Sequence, residues 1–137
     1  MSRYLSVVFD TNVLVSALWT GGTVSKIVKM AFRSDNAIYY SKEILAEYMK
    51  VLYRRKFRSK FSLSKVDVLL DDISKHGILL ANPTPSTIPL PDESDRIFYD
   101  LAESTNSILV TGNSKHYPPE DFIMSPTDFL KSFACEN

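Results

Sequence analysis

Cysteine is nearly absent from this sequence. The one thiol, Cys135, lies close to the C-terminal end, which excludes an internal disulfide and a zinc site built from several thiolates. Such cysteine usage fits a reducing compartment. Histidine is almost as scarce, and His76 and His116 both read as surface or turn residues. Net charge is missing too. Sixteen basic and sixteen acidic residues cancel, so the total points to neither nucleic acid nor membrane, although a neutral sum can conceal opposed patches. No apolar run approaches the roughly 18 residues of a membrane span. The opening "YLSVVF" is cut off by Asp10 and is too short for a signal h-region. The expectation is a cytoplasmic protein with no membrane association.

What remains is ordinary globular material. The 137 residues are 45% hydrophobic and 23% charged, enough for a single domain over 1–137 with one substantial core. Strand-like runs at 4–9, 37–40, 77–81 and 107–112 alternate with helical patterns at 13–18, 23–33, 41–55, 64–75 and 94–104. Four prolines make 82–91 a loop, and "SPTDFLKSF" supplies Ser125 at N-cap, Pro126 at N1 and Asp128 at N3 of a last helix. Alternation of this kind predicts a three-layer α/β/α sandwich around a mostly parallel sheet. Ligands of such sheets bind beyond the carboxyl ends of the strands. Asp10, Ser41 and the "TGNS" turn at 111–114 all follow strands and should gather along that edge.

Four acids stand out, each with a plain alternative. Asp10 interrupts "VVFDTNVLV" after a strand, where an N-cap is the ordinary explanation. Glu47 falls beside Ile44 and Val51 at the edge of an apolar stripe, where it either faces inward or snorkels out. Asp92 and Asp95 suit N-cap and N3 of a helix, yet Asp95 shares a flank with Phe98, Tyr99 and Ala102. Residues 92–104 carry five acids against one arginine, a repulsive arrangement that a bound cation would relieve. Together, Asp10, Glu47 and Asp95 lie at ends or inner edges of elements that should converge. Crowded carboxylates share protons or bind a cation. Hard oxygen donors without Cys or His partners suit Mg²⁺ or Mn²⁺, ions that serve phosphodiester chemistry.

The order of these motifs resembles the PIN-domain family of metal-dependent nucleases over about Val7 to Met124. "VFDTNVL" matches that family's first aspartate, "SKEILAEY" its helical glutamate at Glu47, "DRIFYDLA" its later aspartate at Asp95, and "VTGN" its strand end. The general look is similar to bacterial VapC-like proteins, assigned as toxin components of toxin–antitoxin pairs. The resemblance implies an endoribonuclease with Asp10, Glu47 and Asp95 as catalytic and metal-binding residues. It also implies products with a 3′-hydroxyl and a 5′-phosphate, an antitoxin partner and homodimerisation. One departure is Asn113, where many relatives carry a fourth aspartate. Asn113 offers a neutral oxygen only, and Asp92 is expected to restore some charge to the metal site. Thr11 and Asn12 would then orient Asp10 through their side chains, while Ser41 and Thr111 either do the same or serve as caps and turns.

"KVLYRRKFRSKFSLSK" (50–65) holds seven of the sixteen basic residues and no acid. Arg54, Arg55, Lys56, Arg58 and Lys60 would attract RNA phosphates, with Phe57 and Phe61 either stacking on bases or packed inward. Trp19 reads as a packing residue. Two other functions compete with a nuclease. One is a catalytically impaired module that binds RNA or an antitoxin without cutting. The other is a phosphatase of the haloacid-dehalogenase type, disfavoured because its second aspartate would stand at position 12, which is Asn.

Overall fold

Val7, Val8 and Phe9 have no polar residues to alternate with, and a strand written that way must bury both faces. In the computed structural model, which describes residues 5–33 and 36–133, all three are essentially sealed from solvent. They belong to β1 (Ser6–Phe9), which pairs in parallel with β2 (Ala37–Tyr40) and with a later strand, β4 (Ile108–Val110). A short β3 (Ile78–Leu79) and an equally short β5 (Ile123–Met124) form the edges. The order β3-β2-β1-β4-β5 is parallel throughout, so the sandwich and its sheet are as the sequence predicts. Tyr4, the first residue of the expected opening strand, and Cys135 lie outside the described residues.

β5 is not foreseen in the sequence. Its two residues follow a Pro-Pro turn and an acidic pair, with no apolar run long enough to announce a strand. Leu109 N–H donates to Phe122 O at 2.8 Å and Thr111 N–H to Met124 O at 2.9 Å, which fixes the segment beside β4.

The helices follow the chain's own punctuation. α1 (Thr11–Thr20) begins at Asp10 and breaks at Gly21 and Gly22, whose φ of 67° and 63° suit glycine far better than other residues. α2 (Gly22–Ala31) then leads to β2. The Ser41 hydroxyl accepts Ile44 N–H at 3.2 Å and starts α3 (Lys42–Leu52). This helix ends three residues before the expected Arg55. Phe57 and Phe61 turn into the core and stack with centroids 5.3 Å apart, drawing the chain into a 3₁₀ turn (Arg55–Phe57). α4 (Leu63–His76) returns to β3. The proline-rich loop leads through a second 3₁₀ turn (Glu93–Asp95) into α5 (Arg96–Thr105) and β4. The last helix, α6 (Pro126–Phe133), starts where Ser125 Oγ accepts Asp128 N–H at 3.0 Å.

The chain runs outward from β1 to β2 to β3, then returns through α5 to β4 on the other side of β1. The chain therefore changes direction between β1 and β4. That is the switch point at which open parallel sheets form their crevice.

Gly77, at the exit of α4, faces a tight approach. A Cβ there would overlap the Ile73 carbonyl oxygen and press on Tyr40 Cδ1 at 3.0 Å and Ile38 O at 3.1 Å. Two of these three atoms are backbone and cannot swing aside. Gly77→Ala is expected to cost about 1–3 kcal/mol in urea unfolding, as overpacking does. An unchanged midpoint would show that the α4–β3 corner relaxes freely.

Candidate active site at the carboxyl ends of β1 and β4

Asp10 leaves β1 in extended conformation, its N–H on Val110 O at 3.1 Å. It is an N-cap, as the ordinary reading has it, but the cap bond from Asn12 N–H to Oδ1 is long, at 3.4 Å. Oδ2 is held more firmly, by Thr111 Oγ1 at 3.0 Å and by the Tyr117 hydroxyl at 2.9 Å. Asp10, Thr111 and Tyr117 are all buried. Burial, then the charges of Asp10 and Asp95, raise the Tyr117 phenol far above its ordinary value, so it stays a proton donor. Tyr48, buried on α3, donates to Phe9 O just below, and burial with the Asp10 charge raises its phenol too.

Asp95 arrives from the other side, at the last residue of the 3₁₀ turn before α5. Its side chain is 13% exposed, and Oδ2 is sealed from solvent without a hydrogen-bond partner among the described residues. His116 Nδ1 stands 3.2 Å from that oxygen, at ion-pair distance but without hydrogen-bond alignment. Burial and then the Asp10 charge push the carboxyl up to about 6, with a smaller contribution from Asp92 and partial relief from His116. Asp92 is exposed and accepts Ser94 N–H at 3.0 Å and Ser94 Oγ–H at 2.8 Å. Those bonds lower its carboxyl below the ordinary value. Ligand atoms of Asp92, Asp95 and His116 lie within 4.8 Å of one another, the one such grouping among the described residues.

The other expected site residues are placed less uniformly. Asn113 lies beside this grouping, its amide nitrogen 2.9 Å from His116 Nε2 and its N–H on Thr111 Oγ1 at 3.1 Å. Glu47 is half-buried one residue before Tyr48 and stands outside the grouping. Thr11 and Asn12 do not orient Asp10 through their side chains. Thr11 Oγ1 is buried without a hydrogen-bond partner among the described residues, and Asn12 meets Asp10 through its backbone N–H. Ser41 spends its hydroxyl on the α3 cap and lines a separate cleft of about 450 Å³ with Asn82 and Asp100. Tyr117 and His116 are the additions. The sequence suggested a surface or turn role for His116 and gave Tyr117 no periodicity to notice.

The acidic stretch 92–104 is less repulsive than its composition suggests. Arg96 pairs with Glu93 through Nε at 2.8 Å and Nη2 at 2.9 Å, and approaches Asp100 at 3.8 Å. The same guanidinium holds Ser86 O at 3.0 Å and Ile88 O at 2.7 Å, pinning the proline-rich loop. What stays uncompensated is the Asp92–Asp95 end.

Arg54, Arg55, Lys56, Arg58 and Lys60 are all exposed. Phe57 and Phe61 are buried, so base stacking by them is ruled out in this arrangement. The exposed ring is instead Trp19, edge-on to Phe57 at 6.0 Å with Lys60 Nζ 5.0 Å above it. Trp19 is 46% exposed, more than a packing residue would be.

Because the folded Asp95 holds its proton more tightly than an unfolded aspartate, its ionised form destabilises the fold. The penalty is absent below about pH 4, grows toward pH 6 and is complete above it. Asp95→Asn should therefore raise stability near pH 7 by about 1–2 kcal/mol in metal-free buffer, partial exposure trimming the full value. The gain should vanish by pH 4. Urea melts at both values check this, and a variant less stable at pH 7 would contradict it.

A PIN-domain family model matches residues 6–115. An uncharacterised protein of Methanocaldococcus jannaschii is 29% identical over 111 residues, covering 80% of this chain and 71% of its own. A chain in the crystal structure of VapBC2 from Rickettsia felis, bound to a DNA fragment from their promoter, superposes with a TM-score of 0.54. It is 16% identical, and the match covers 88% of this chain and 98% of that one, a likeness of fold. With the parallel sheet, the switch-point aspartate and this match across most of its length, the chain belongs to the PIN-domain family.

Proposed function

We propose that this protein is a divalent-metal-dependent endoribonuclease and the toxin component of a toxin–antitoxin pair. The observation that carries the reading is the sealed, unpartnered Oδ2 of Asp95, facing the field of Asp10. A buried carboxylate oxygen without a donor costs free energy that no other part of the fold recovers. Such an atom fits a cation ligand.

The donor chemistry agrees. Asp10, Glu47, Asp95 and Asp92 offer hard oxygens, with Asn113 nearby, and such donors suit Mg²⁺ or Mn²⁺. When bound by these residues, such an ion would supply charge neutralisation at the phosphodiester and a lowered pKa for the attacking water. The protein's own groups do the rest. Thr111 and Tyr117 fix Asp10 so that its other oxygen points consistently, and the unpartnered Oδ2 of Asp95 would help hold the ion. Attack of water oxygen on phosphorus then expels the 3′ oxygen, which leaves with a proton, and the phosphate stays on the 5′ side.

Substrate binding is assigned to Arg54, Arg55, Lys56, Arg58 and Lys60, whose charges would be felt as a steep salt dependence. Exposed Trp19 supplies a stacking face beside them. A cleft of about 260 Å³ lined by Asn12, Ser16, Val24, Gly112 and Asn113 would give a nucleotide somewhere to sit. The antitoxin partner is supported by the fold shared with VapBC2.

Glu47 outside the ligand grouping, and Asn113 in place of an acid, favour a second reading, an RNA- or antitoxin-binding module that does not cut. Incubation of labelled single-stranded RNA with Mn²⁺ or Mg²⁺, beside EDTA and an identically purified Asp10→Ala protein, separates the two. The nuclease reading expects metal-dependent cutting that falls at least about 100-fold in the variant. RNA retained but uncut by wild type would establish the binding module instead. Equal cutting by both proteins would trace the activity to a contaminant.

A further inference from the structure

Asn113 reads as a lost ligand only if the metal site is assumed to be built from oxygen alone. We infer that His116 takes the place of the fourth acid, so that Asp92, Asp95 and the His116 imidazole form a mixed nitrogen–oxygen site that prefers Mn²⁺ to Mg²⁺. This inference rests on the reading that the pocket binds a divalent ion.

Geometry comes first. His116 Nδ1 lies 3.2 Å from the sealed oxygen of Asp95, and all three residues present ligand atoms within 4.8 Å of one another. Atoms sharing an ion at roughly 2.1 Å lie no more than about 4.2 Å apart. Shifts of a few tenths of an ångström would close the set, and the exposed Asp92 is held by Ser94 through Oδ1. The contact between Nδ1 and Oδ2 is close yet unaligned.

Asn113 supplies the orientation. Its amide touches His116 Nε2 at 2.9 Å, and His116 N–H donates to Asn113 O at 3.1 Å, closing the turn on itself. A half-turn of the amide puts Oδ1 against Nε2, which then carries the ring proton. Nδ1 is left with a lone pair facing Asp95. Metal-bound histidines are commonly held in this way, by an acceptor on the far ring nitrogen. Asn113 is thus a positioning residue, and His116 the donor. Imidazole binds Mn²⁺ more readily than Mg²⁺, which keeps to oxygen and water.

Pulsed electron paramagnetic resonance of Mn²⁺ added to the metal-free wild-type protein reads the donor atom directly. The expected result is ¹⁴N modulation that changes to the ¹⁵N pattern when the protein is made with ¹⁵N-histidine. No mutation is involved, so folding cannot confuse it. Titration calorimetry should give Mn²⁺ at least about tenfold tighter than Mg²⁺ in wild type. His116→Ala should lose about tenfold in Mn²⁺ affinity and under twofold in Mg²⁺ affinity, with its fold checked by circular dichroism. Asn113→Ala should lose severalfold for Mn²⁺, and Asn113→Asp should recover it, because either oxygen accepts the Nε2 proton. Bound Mn²⁺ without histidine modulation would overturn this assignment and leave the metal-dependent reading standing. No Mn²⁺ binding at millimolar ion would overturn both.

Discussion

The fold turns on one carboxylate oxygen. Oδ2 of Asp10 receives a hydroxyl from Thr111 and another from Tyr117, joining residues more than a hundred positions apart in the chain. Thr111 Oγ1 in turn accepts the N–H of Asn113, so three donors line up toward a single buried charge, and polar chains of this type reinforce one another. The ends of β1 and β4 are thereby locked at the point where the sheet reverses its winding. Everything proposed for catalysis depends on this lock, since it decides where the remaining face of Asp10 looks. It also explains why the turn after β4 cannot drift: Tyr117 at its far end is tied to the same atom.

Much of this was readable in the residues. The central strand announced itself because Val7, Val8 and Phe9 leave no polar face, and Ser41 and Ser125 each start a helix where a hydroxyl can take an amide proton. The convergence of Asp10 with Asp95 was legible as well, from strand and helix ends alone. Less visible was anything set by tertiary contact over short segments. β5 exists because two amides of β4 and its following residue need acceptors, and α3 stops where a pair of phenylalanines bury themselves. Tyr117 and His116 sit in an irregular turn, where no periodicity distinguishes an inward side chain from an outward one. Thr11 and Asn12 misled for the opposite reason: adjacency in sequence suggested partners that the helix geometry turned elsewhere.

Charge is distributed with the same economy. Arg96 accounts for Glu93 and Asp100 and grips two carbonyls of the proline-rich loop, so one guanidinium both compensates acids and fixes the approach to α5. Among the described residues, the side chain at ion-pair distance from Asp95 is the His116 imidazole. The net charge of zero therefore hides a basic stretch at 54–60 and an acidic corner at the sheet's carboxyl edge. A polyanion and a divalent cation would find separate landing places on the same small domain.

The indole of Trp19 has a use that concerns the observer more than the protein. It is the only tryptophan in the chain, half in water and covered by the Lys60 ammonium on one side. Light emitted from it comes from that single place, at the seam between the basic face and the buried phenylalanine stack. A nucleobase sliding onto the ring or displacing the lysine would quench or shift that emission without any label. Events at the carboxylate corner, which has no indole of its own, would be heard only as far as they travel through the core.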